Sequence, residues 1–413
     1  MPTPCEYRLA GLSEASRKAG AMKEVRYEST PTMRLTKAKR GANAVGTGFL
    51  PLDLVYRDDD PLRMKAYAGG TCGNVLAILA FLGWDVYPIA RHNDSALATI
   101  IKDDLRLWGA HLDFVGLDPT RLPPVVIERV FAKPRGAKTH SFAWTCPGCG
   151  AALPSFKAVL ARSVIEVSDR LPNMRVFFFD RVSRSALDLA QRCTEAGGVV
   201  VFEPSMIGDP RLFSEALRLS HIFKYSQDRI SDVHEVRGSA APLLEIETLG
   251  SAGLRYRKKG RLWKDVDAFE IQRTVDTSGA GDWCTAGILH QLCQAGSEGL
   301  RAATDEETLA GVRLGQAMAA WNCQFEGARG GMYGVEWSDW RQDVLDIVRS
   351  GSAVEPPVRE STRICPEVLV EVCSEECSDS LGRTAHMPRQ SGAHLCAALW
   401  QGGVVGKALS RRT

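Results

Sequence analysis

Asp276-Thr277-Ser278-Gly279-Ala280-Gly281-Asp282, called the glycine turn below, is the most informative stretch of this 413-residue chain. Small residues at its centre let backbone N–H groups approach an anion closely. The next residues, Trp283 to Leu292, carry apolar side chains at helical spacing. A glycine-rich turn that opens a helix joins unpaired N–H groups to the positive end of the helix dipole, so this stretch predicts a phosphate site.

Asp282 is the residue of the glycine turn that points to chemistry. A carboxylate does not bind phosphate, because like charges repel, but it can take a proton from a hydroxyl that attacks the phosphate. The turn is therefore a candidate site of phosphoryl transfer with Asp282 as general base. The structural alternative is a glycine turn whose aspartate caps a helix, and the spacing alone leaves both interpretations open.

A second motif lies earlier in the chain, where Gly69-Gly70-Thr71-Cys72-Gly73-Asn74 opens a long apolar segment that runs to Leu82-Gly83. The two motifs, in this order and far apart, resemble the signatures of the PfkB family of carbohydrate and nucleoside kinases, which includes ribokinase and adenosine kinase. The resemblance covers roughly Ala44 to Gly351.

Strands and helices alternate through the middle of the chain. Apolar stretches such as 175–180 and 199–202 alternate with helical ones such as 185–196, which predicts a mostly parallel sheet with helices on both faces. Ligands of such sheets bind beyond the carboxyl ends of the strands. The polar or small residues at these predicted ends are Asp180, Glu203, Ser226 and Gly250.

Residues 125–144 follow a different pattern, with two extended stretches joined by Lys133-Pro134-Arg135-Gly136. This pattern predicts a β-hairpin. The resemblance implies an α/β, ribokinase-like fold: a mostly parallel sheet flanked by helices, with a small antiparallel β lid over the sugar. The lid would come from about residues 55–67 and 125–144, and such lids can form a homodimer.

The two ends of the chain lack this pattern. Residues 1–43 are polar and basic and are expected to form a mobile N-terminal tail, and the kinase domain would span residues 44–351. Residues 352–413 combine Pro, acidic and Gly/Arg-rich segments, so we expect a disordered C-terminal tail.

The resemblance also implies the activity and the site residues. The activity is ATP-dependent phosphoryl transfer to a hydroxyl of a small sugar or nucleoside, with Mg²⁺. Asp282 would be the base, and the N–H groups of the turn would surround the transferring phosphoryl group: Gly279, Ala280 and Gly281. The sugar pocket would use a carboxylate at the end of the first strand and the second motif: Asp53, Gly69, Gly70 and Asn74. The nucleotide would contact Thr248, Gly250, Gly253 and Asn322.

Asp276 corresponds to a residue that helps to hold a monovalent cation such as K⁺ in several family members. Two departures bear on the metal and the nucleotide. The family often has Asn-x-x-Glu after the strand at 222–225, to organise magnesium and phosphate, whereas this chain has Ser226-Gln227-Asp228-Arg229. It also has Glu203-Pro204-Ser205 in place of Asp-Pro-Asn. The rival hypothesis is therefore a non-catalytic nucleotide or nucleoside sensor on the same fold.

Cys146-Pro147-Gly148-Cys149 has the turn chemistry of a zinc knuckle. Structural zinc needs four ligands, and His140 brings the nearby count only to three, so two lids would have to share the ion across a dimer. The alternative is a pair of free thiols. A redox pair fits less well, because thioredoxin-type pairs stand at a helix N-terminus after a strand.

Composition excludes several classes of protein. A net charge of +2 argues against a nucleic-acid or membrane-surface binder. No apolar run is long enough to cross a bilayer, and the N-terminus lacks the apolar stretch of a secretory signal, so the expected location is the cytoplasm. Twelve cysteines in a chain of this length do not suggest a disulfide scaffold.

Overall fold

The structure, a computed structural model, describes residues 35–135, 138–146 and 150–355. In chain order the strands are β1 (Asn43–Thr47), β2 (Leu52–Arg57), β3 (Asp60–Ala68), β4 (Asp85–Ile89), β5 (Val125–Arg135), β6 (Lys138–Ala143), β7 (Val176–Phe179), β8 (Val199–Phe202), β9 (Ile222–Ser226), β10 (Leu244–Thr248), β11 (Leu254–Lys258), β12 (Lys264–Val266), β13 (Glu270–Ile271) and β14 (Ser352–Ala353). The helices are α1 (Gly70–Phe81), α2 (Ala96–Leu107), α3 (Ala161–Val167), α4 (Arg184–Glu195), α5 (Pro210–Leu219), α6 (Val233–Arg237), α7 (Ala280–Leu292), α8 (Gly296–Ala302), α9 (Asp305–Asn322) and α10 (Trp337–Ser350).

The larger sheet has eight strands in the order β12-β11-β10-β9-β8-β7-β1-β4. The pairs from β10 through to β4 are parallel, whereas β11 and β12 add an antiparallel edge. The parallel strands are short and apolar, and β7 and β8 are buried along their whole length. Strands of this type need cover on both faces, so the sheet confirms the mostly parallel fold predicted from the sequence.

Two hydrophobic clusters cover the two faces of this sheet. On one face, Phe178 and Val201 pack with α1, α7, α9 and α10. On the other face, Phe177 and Phe202 pack with α3, α4 and α5. Because successive side chains of a strand point to opposite faces, the run of phenylalanines in β7 supplies both clusters. The helices α1 and α7, which begin at the two sequence motifs, therefore lie side by side on one face.

A second sheet forms the lid, with four strands in the order β3-β2-β5-β6. The two outer pairs, β3–β2 and β5–β6, are antiparallel hairpins, and the two hairpins meet through the parallel pair β2–β5. The predicted lid is therefore present. The sequence placed Asp53 at the end of the first strand; that detail is wrong, because β1 ends at Thr47 and Asp53 is the second residue of lid strand β2.

The packed part of the chain begins before Ala44, where the sequence placed the start of the domain. Leu35 is fully buried, and Arg341 on α10 donates a hydrogen bond to its carbonyl oxygen. The Lys37 amine lies 3.9 Å from the ring centre of Trp337. Residues 1–34 and 356–413 lie outside the described residues, so the two predicted tails stay predictions. Among the described helices, none combines the length and the apolar character needed to cross a bilayer.

Candidate active site

The glycine turn is shaped by one residue in a left-handed conformation. Gly279 has a φ of 72° and stands immediately before α7. A Cβ at Gly279 would lie 2.4 Å from the carbonyl oxygen of Ala328, so only glycine fits. The first amides of α7 have no carbonyl four residues earlier within the helix, and they lie at the positive end of its dipole. The Ala280 N–H donates to the Thr277 carbonyl oxygen at 3.3 Å, and the phosphate site predicted at this turn stays a prediction.

Asp282 lies in the first turn of α7 and is almost completely buried. Its Oδ2 accepts a hydrogen bond of 2.7 Å from Asn74 Nδ2, on α1. Burial, followed by the charge of Glu203, raises the pKa of Asp282 to about 7, although Asn74, Lys224 and Arg229 oppose the rise. A carboxyl group with a pKa near 7 suits general acid–base catalysis at neutral pH.

The orientation of Asn74 is fixed from its other side. Arg329 Nε donates to Asn74 Oδ1 at 3.0 Å, so the amide nitrogen of Asn74 must face Asp282. Arg329 is itself held by an ion pair of 2.7 Å with Asp104, and Tyr333 donates to the same carboxylate at 2.6 Å. A chain of buried polar contacts therefore positions the candidate base.

Asp53 meets the second motif at close range. The backbone N–H of Gly70 donates to Asp53 Oδ2 at 3.3 Å, and a Cβ at Gly69 would lie 1.8 Å from the same oxygen. Burial raises the pKa of Asp53 to about 7, against the Gly70 hydrogen bond and the charge of Arg329. The structure thus brings together Asp53, Gly69 and Gly70, three of the four residues predicted to bind the sugar; the fourth is Asn74.

Asp180 also lies in this region, and the sequence predicted no role for it beyond its place at the end of a strand. It follows β7, and its Oδ1 accepts a hydrogen bond of 2.8 Å from the backbone N–H of Phe49. Burial is the main reason why its pKa is raised, to about 6. Its Oδ2 forms an ion pair of 2.9 Å with Arg181. After burial, the charges of Asp180 and Asp282 both act to raise the pKa of the Cys72 thiol.

Lys224 is a second residue that the sequence analysis missed. Its amine forms an ion pair with Glu203 and donates to the carbonyl oxygen of Gly281 at 3.2 Å. Glu203 also accepts a hydrogen bond of 2.5 Å from Thr285 on α7. Burial disfavours the charged amine, but Glu203 outweighs it, and the pKa of Lys224 is raised. A lysine inside the otherwise apolar strand β9 was the signal available in the sequence.

The segment Ser226 to Arg229 departs from the family pattern, and the structure shows the electrostatic result. Arg229 is exposed, yet its charge lowers the pKa of Asp282, so the guanidinium lies within electrostatic range of the glycine turn. Asp228, one residue earlier, is also exposed. A positive charge therefore stands near the site where the family commonly has glutamate.

The four predicted nucleotide residues fall in two places. Thr248 is the last residue of β10, and Gly250 and Gly253 follow it, where a short 3-10 helix spans Gly250–Ala252. A Cβ at Gly253 would lie 2.2 Å from the Val266 carbonyl oxygen, so this glycine allows close backbone packing. Asn322 is fully buried beneath the glycine turn, where its Nδ2 donates to the Ser278 carbonyl oxygen at 3.2 Å.

Asp276, the first residue of the glycine turn, is fully buried and connects the turn to the lid. One oxygen accepts hydrogen bonds from His140 Nδ1 at 2.7 Å and Thr139 Oγ1 at 3.1 Å, both on β6. The other accepts from the Gly327 N–H at 2.9 Å. Burial acts to raise the pKa of Asp276, but His140 and backbone donors outweigh it, and the pKa is lowered.

The predicted cysteine pair falls partly outside the described residues. Cys146 is buried near the end of the lid hairpin, whereas Cys149 is not among the residues that the structure describes. The zinc site at this pair therefore stays a prediction.

Comparison with known proteins agrees with the fold and the motifs. The model of the pfkB family carbohydrate kinases matches residues 51–332. A fructokinase from Xylella fastidiosa, solved with bound ATP, is 16% identical, with 75% of this chain and 98% of the other covered and a TM-score of 0.57. A nucleoside kinase from Burkholderia thailandensis in complex with inosine is 15% identical, with coverages of 76% and 99% and a TM-score of 0.55.

An aminoimidazole riboside kinase from Salmonella enterica, solved with aminoimidazole riboside and an ATP analogue, is 20% identical. It aligns over 69% of this chain and 95% of its own, with a TM-score of 0.53. At these identities the likeness shows the fold. No curated protein matches the sequence significantly.

Proposed function

The chain belongs to the pfkB family of carbohydrate kinases, and from this premise we propose that it transfers the γ-phosphoryl group of ATP to a hydroxyl of a small sugar or nucleoside. The observation that carries the proposal is the placement of Asp282. This buried carboxyl group stands in the first turn of α7, beside the anion-binding amides, and Asn74 holds it there.

Asp282 acts as the general base in this proposal. It removes the proton of the substrate hydroxyl while the hydroxyl oxygen attacks the γ-phosphorus and the bond from that phosphorus to the ADP oxygen breaks. A pKa of about 7 lets a useful fraction of Asp282 be ionised in the free protein at neutral pH. General-base assistance of this kind contributes roughly 10²–10⁴-fold to a rate.

The substrate lies between the lid and the carboxyl edge of the large sheet. Asp53, on lid strand β2, and Asp180, after β7, accept hydrogen bonds from its hydroxyl groups. Both carboxyl groups are buried, and Asp180 already accepts from the Phe49 N–H and pairs with Arg181, so substrate hydroxyls would use the lone pairs that remain on each carboxylate. The neighbours solved with inosine or aminoimidazole riboside make a polyhydroxylated substrate the class to test first.

The transferring phosphoryl group sits over the glycine turn. Gly279, Ala280 and Gly281 supply backbone N–H donors, and preorganised donors of this kind are worth about 2.7–4 kcal/mol each in the transition state. Arg229 adds a positive charge whose effect reaches Asp282. The nucleotide extends toward Thr248 and Gly250, in the loop after β10.

Mg²⁺ would be held near Glu203. The ion prefers oxygen ligands, keeps several waters and is held through one or two carboxylates plus the substrate phosphates. Glu203, whose oxygens also accept from Lys224 and Thr285, has lone pairs left that would hold a magnesium-bound water, and the ion would neutralise charge on the phosphates. A K⁺ ion near Asp276 would be held through nearby backbone carbonyls, as the family resemblance implies.

The rival proposal is a nucleotide or nucleoside sensor, and Arg229 in place of glutamate is the observation that favours it. Isothermal titration of the full chain with ATP and with a set of nucleosides and sugars, beside a turnover assay that detects ADP, separates the two. ADP release that depends on one acceptor supports the kinase. Tight binding without turnover for every acceptor supports the sensor.

The lid also supports a homodimer. Strand β6 is an edge of the lid sheet. The side chain of Phe142 on this strand is exposed, and Trp144, directly after the strand, is 57% exposed. An exposed edge strand with aromatic side chains is a ready surface for a second copy. Sedimentation of Trp144→Ser should show a shift to monomer, and Leu262→Ser, at an exposed leucine outside the lid, should not. A dimer that persists in Trp144→Ser contradicts this interface.

A further inference from the structure

Glu128 is a buried carboxylate without a partner, and it lies on the lid face that meets the glycine turn. Only 1% of its surface is exposed. Neither side-chain oxygen has a hydrogen-bond partner among the described residues. Burial raises the pKa of Glu128 well above its ordinary value, and the charges of Asp276 and Asp53, both of the same sign, add to the rise. An unpaired buried carboxylate that faces other carboxylates is costly, so the site needs either a proton or a cation.

His140 stands beside Glu128 on the same face of the lid. Glu128 on β5 pairs with Phe142 on β6, and His140 is two residues from Phe142 along that strand. Residues two apart on a strand share a face, and diagonal neighbours of this kind are within reach of long side chains. The two side chains therefore converge from adjacent strands on one point.

Asp276 supplies a third donor from the glycine turn. Ligand atoms of Glu128, His140 and Asp276 all lie within 4.8 Å of one another. Ligand atoms held at about 2.1 Å in a tetrahedral site are roughly 3.4 Å apart, so only small side-chain shifts are needed to close around an ion. A metal would replace the proton that His140 and Asp276 share in their 2.7 Å hydrogen bond.

We propose that Glu128, His140 and Asp276 bind a divalent transition-metal ion that joins the lid to the glycine turn. One imidazole nitrogen and two carboxylates suit Zn²⁺, Mn²⁺ or Co²⁺, whereas Mg²⁺ and Ca²⁺ prefer oxygen alone. Two ligands belong to the lid hairpin and one to the turn, so the ion would hold the lid against the turn.

The site differs from the other cation sites considered for this chain. It uses the imidazole of a lid strand, unlike a K⁺ site built from carbonyl oxygens, and it uses no thiolate, unlike a zinc site at Cys146 and Cys149. Metal binding at this site does not depend on the proposed kinase reaction, so evidence against one hypothesis does not contradict the other.

The test uses the full chain, stripped of metal with a chelator and then titrated with Zn²⁺ and with Co²⁺. We expect one tightly bound ion per chain and a visible Co²⁺ spectrum without the intense near-ultraviolet bands of a thiolate complex. Glu128→Gln, which keeps the shape but loses the charge, should weaken binding at least tenfold. His140→Gln should do the same, and the exposed His111→Gln should bind as the wild type does.

Circular dichroism of each variant shows whether the fold is kept. If Glu128→Gln does not fold, the metal affinity of His140→Gln alone tests the proposal, because the His140 side chain is less buried. The proposal is overturned if the wild type takes up neither ion, or if only K⁺ binds. It is also overturned if binding is unchanged in the folded lid variants and lost in Cys146→Ser/Cys149→Ser.

Discussion

Asn74 donates its side-chain amide to Asp282 at 2.7 Å, although the two residues are 208 positions apart in the sequence. The contact joins the second turn of α1 to the first turn of α7, the two helices that begin at the two sequence motifs. It also explains why the motifs occur together: one carries the candidate base and the other carries the group that orients it.

Asn74→Ala should raise the pKa of Asp282. The Asn74 hydrogen bond stabilises the ionised carboxylate, so its loss favours the protonated form. Charge-assisted hydrogen bonds are worth about 1.5–3 kcal/mol, which corresponds to a pKa shift of about one to two units. The low-pH limb of the kcat/KM profile, which falls below about pH 7 in the wild type, should move to higher pH. An unmoved limb would mean that Asp282 does not set the profile.

Glu203→Gln should shift the low-pH limb of the kcat/KM profile to lower pH. The negative charge of Glu203 raises the pKa of Asp282, and its removal also leaves the positive charge of Lys224 less neutralised. Both changes favour ionised Asp282, so activity should persist to lower pH. Glu215→Gln, in an ion pair with Arg184 on the outer helices, is the matched control and should leave the profile unchanged. A shift of this limb to higher pH in Glu203→Gln would show that Glu203 does not raise the pKa of Asp282.

Gly69→Ala should damage the sugar pocket through Asp53. A Cβ at this position would lie 1.8 Å from Asp53 Oδ2, so the carboxylate has to move away. Overpacking of this kind costs about 1–3 kcal/mol of stability, which urea unfolding measures. The KM for the acceptor should rise more than the KM for ATP. Gly334→Ala is the control, because the nearest atom to its added Cβ is 4.0 Å away. An equal loss of stability in both variants would contradict the role of Asp53 in this prediction.

Asp282→Asn should stabilise the protein more at pH 8 than at pH 5.5. The folded pKa of about 7 lies above the ordinary value of 3.8, so the stability contributed by protonated Asp282 is lost as pH rises through 7. The amide cannot ionise and escapes this loss. The difference between the two pH values should reach at most about 2 kcal/mol in the free energy of unfolding. Asp346→Asn, at an exposed position, should show no such difference.

Local sequence motifs predict the parts of the site that depend on backbone shape. Gly279 must be glycine because of its left-handed φ and the nearby Ala328, and a glycine-rich turn before a helix signals this in any sequence. The alternation of strands and helices likewise predicted the parallel sheet, and the family match confirms the resemblance. These features are local or periodic, so they can be read from the chain directly.

The contacts between distant side chains could not be predicted in the same way. Lys224 and Arg329 are charged residues in buried positions, and their partners come from elements far along the chain. Glu128 is also buried, and Asp276, which lies near it, belongs to the distant glycine turn. Asp53 was placed at the end of β1, but the chain crosses into the lid earlier, at Leu52. Which carboxylates meet depends on how the lid docks against the sheet, and no local pattern encodes that docking.

The most direct test of the account compares wild type and Asp282→Asn for ADP release from Mg–ATP across a panel of sugars and nucleosides. The wild type should turn over with at least one acceptor. The variant should lose about 10²-fold or more of that rate while it keeps its circular dichroism spectrum and its affinity for ATP. A folded Asp282→Asn protein that phosphorylates the acceptor at the wild-type rate would contradict the assignment of Asp282 as the base.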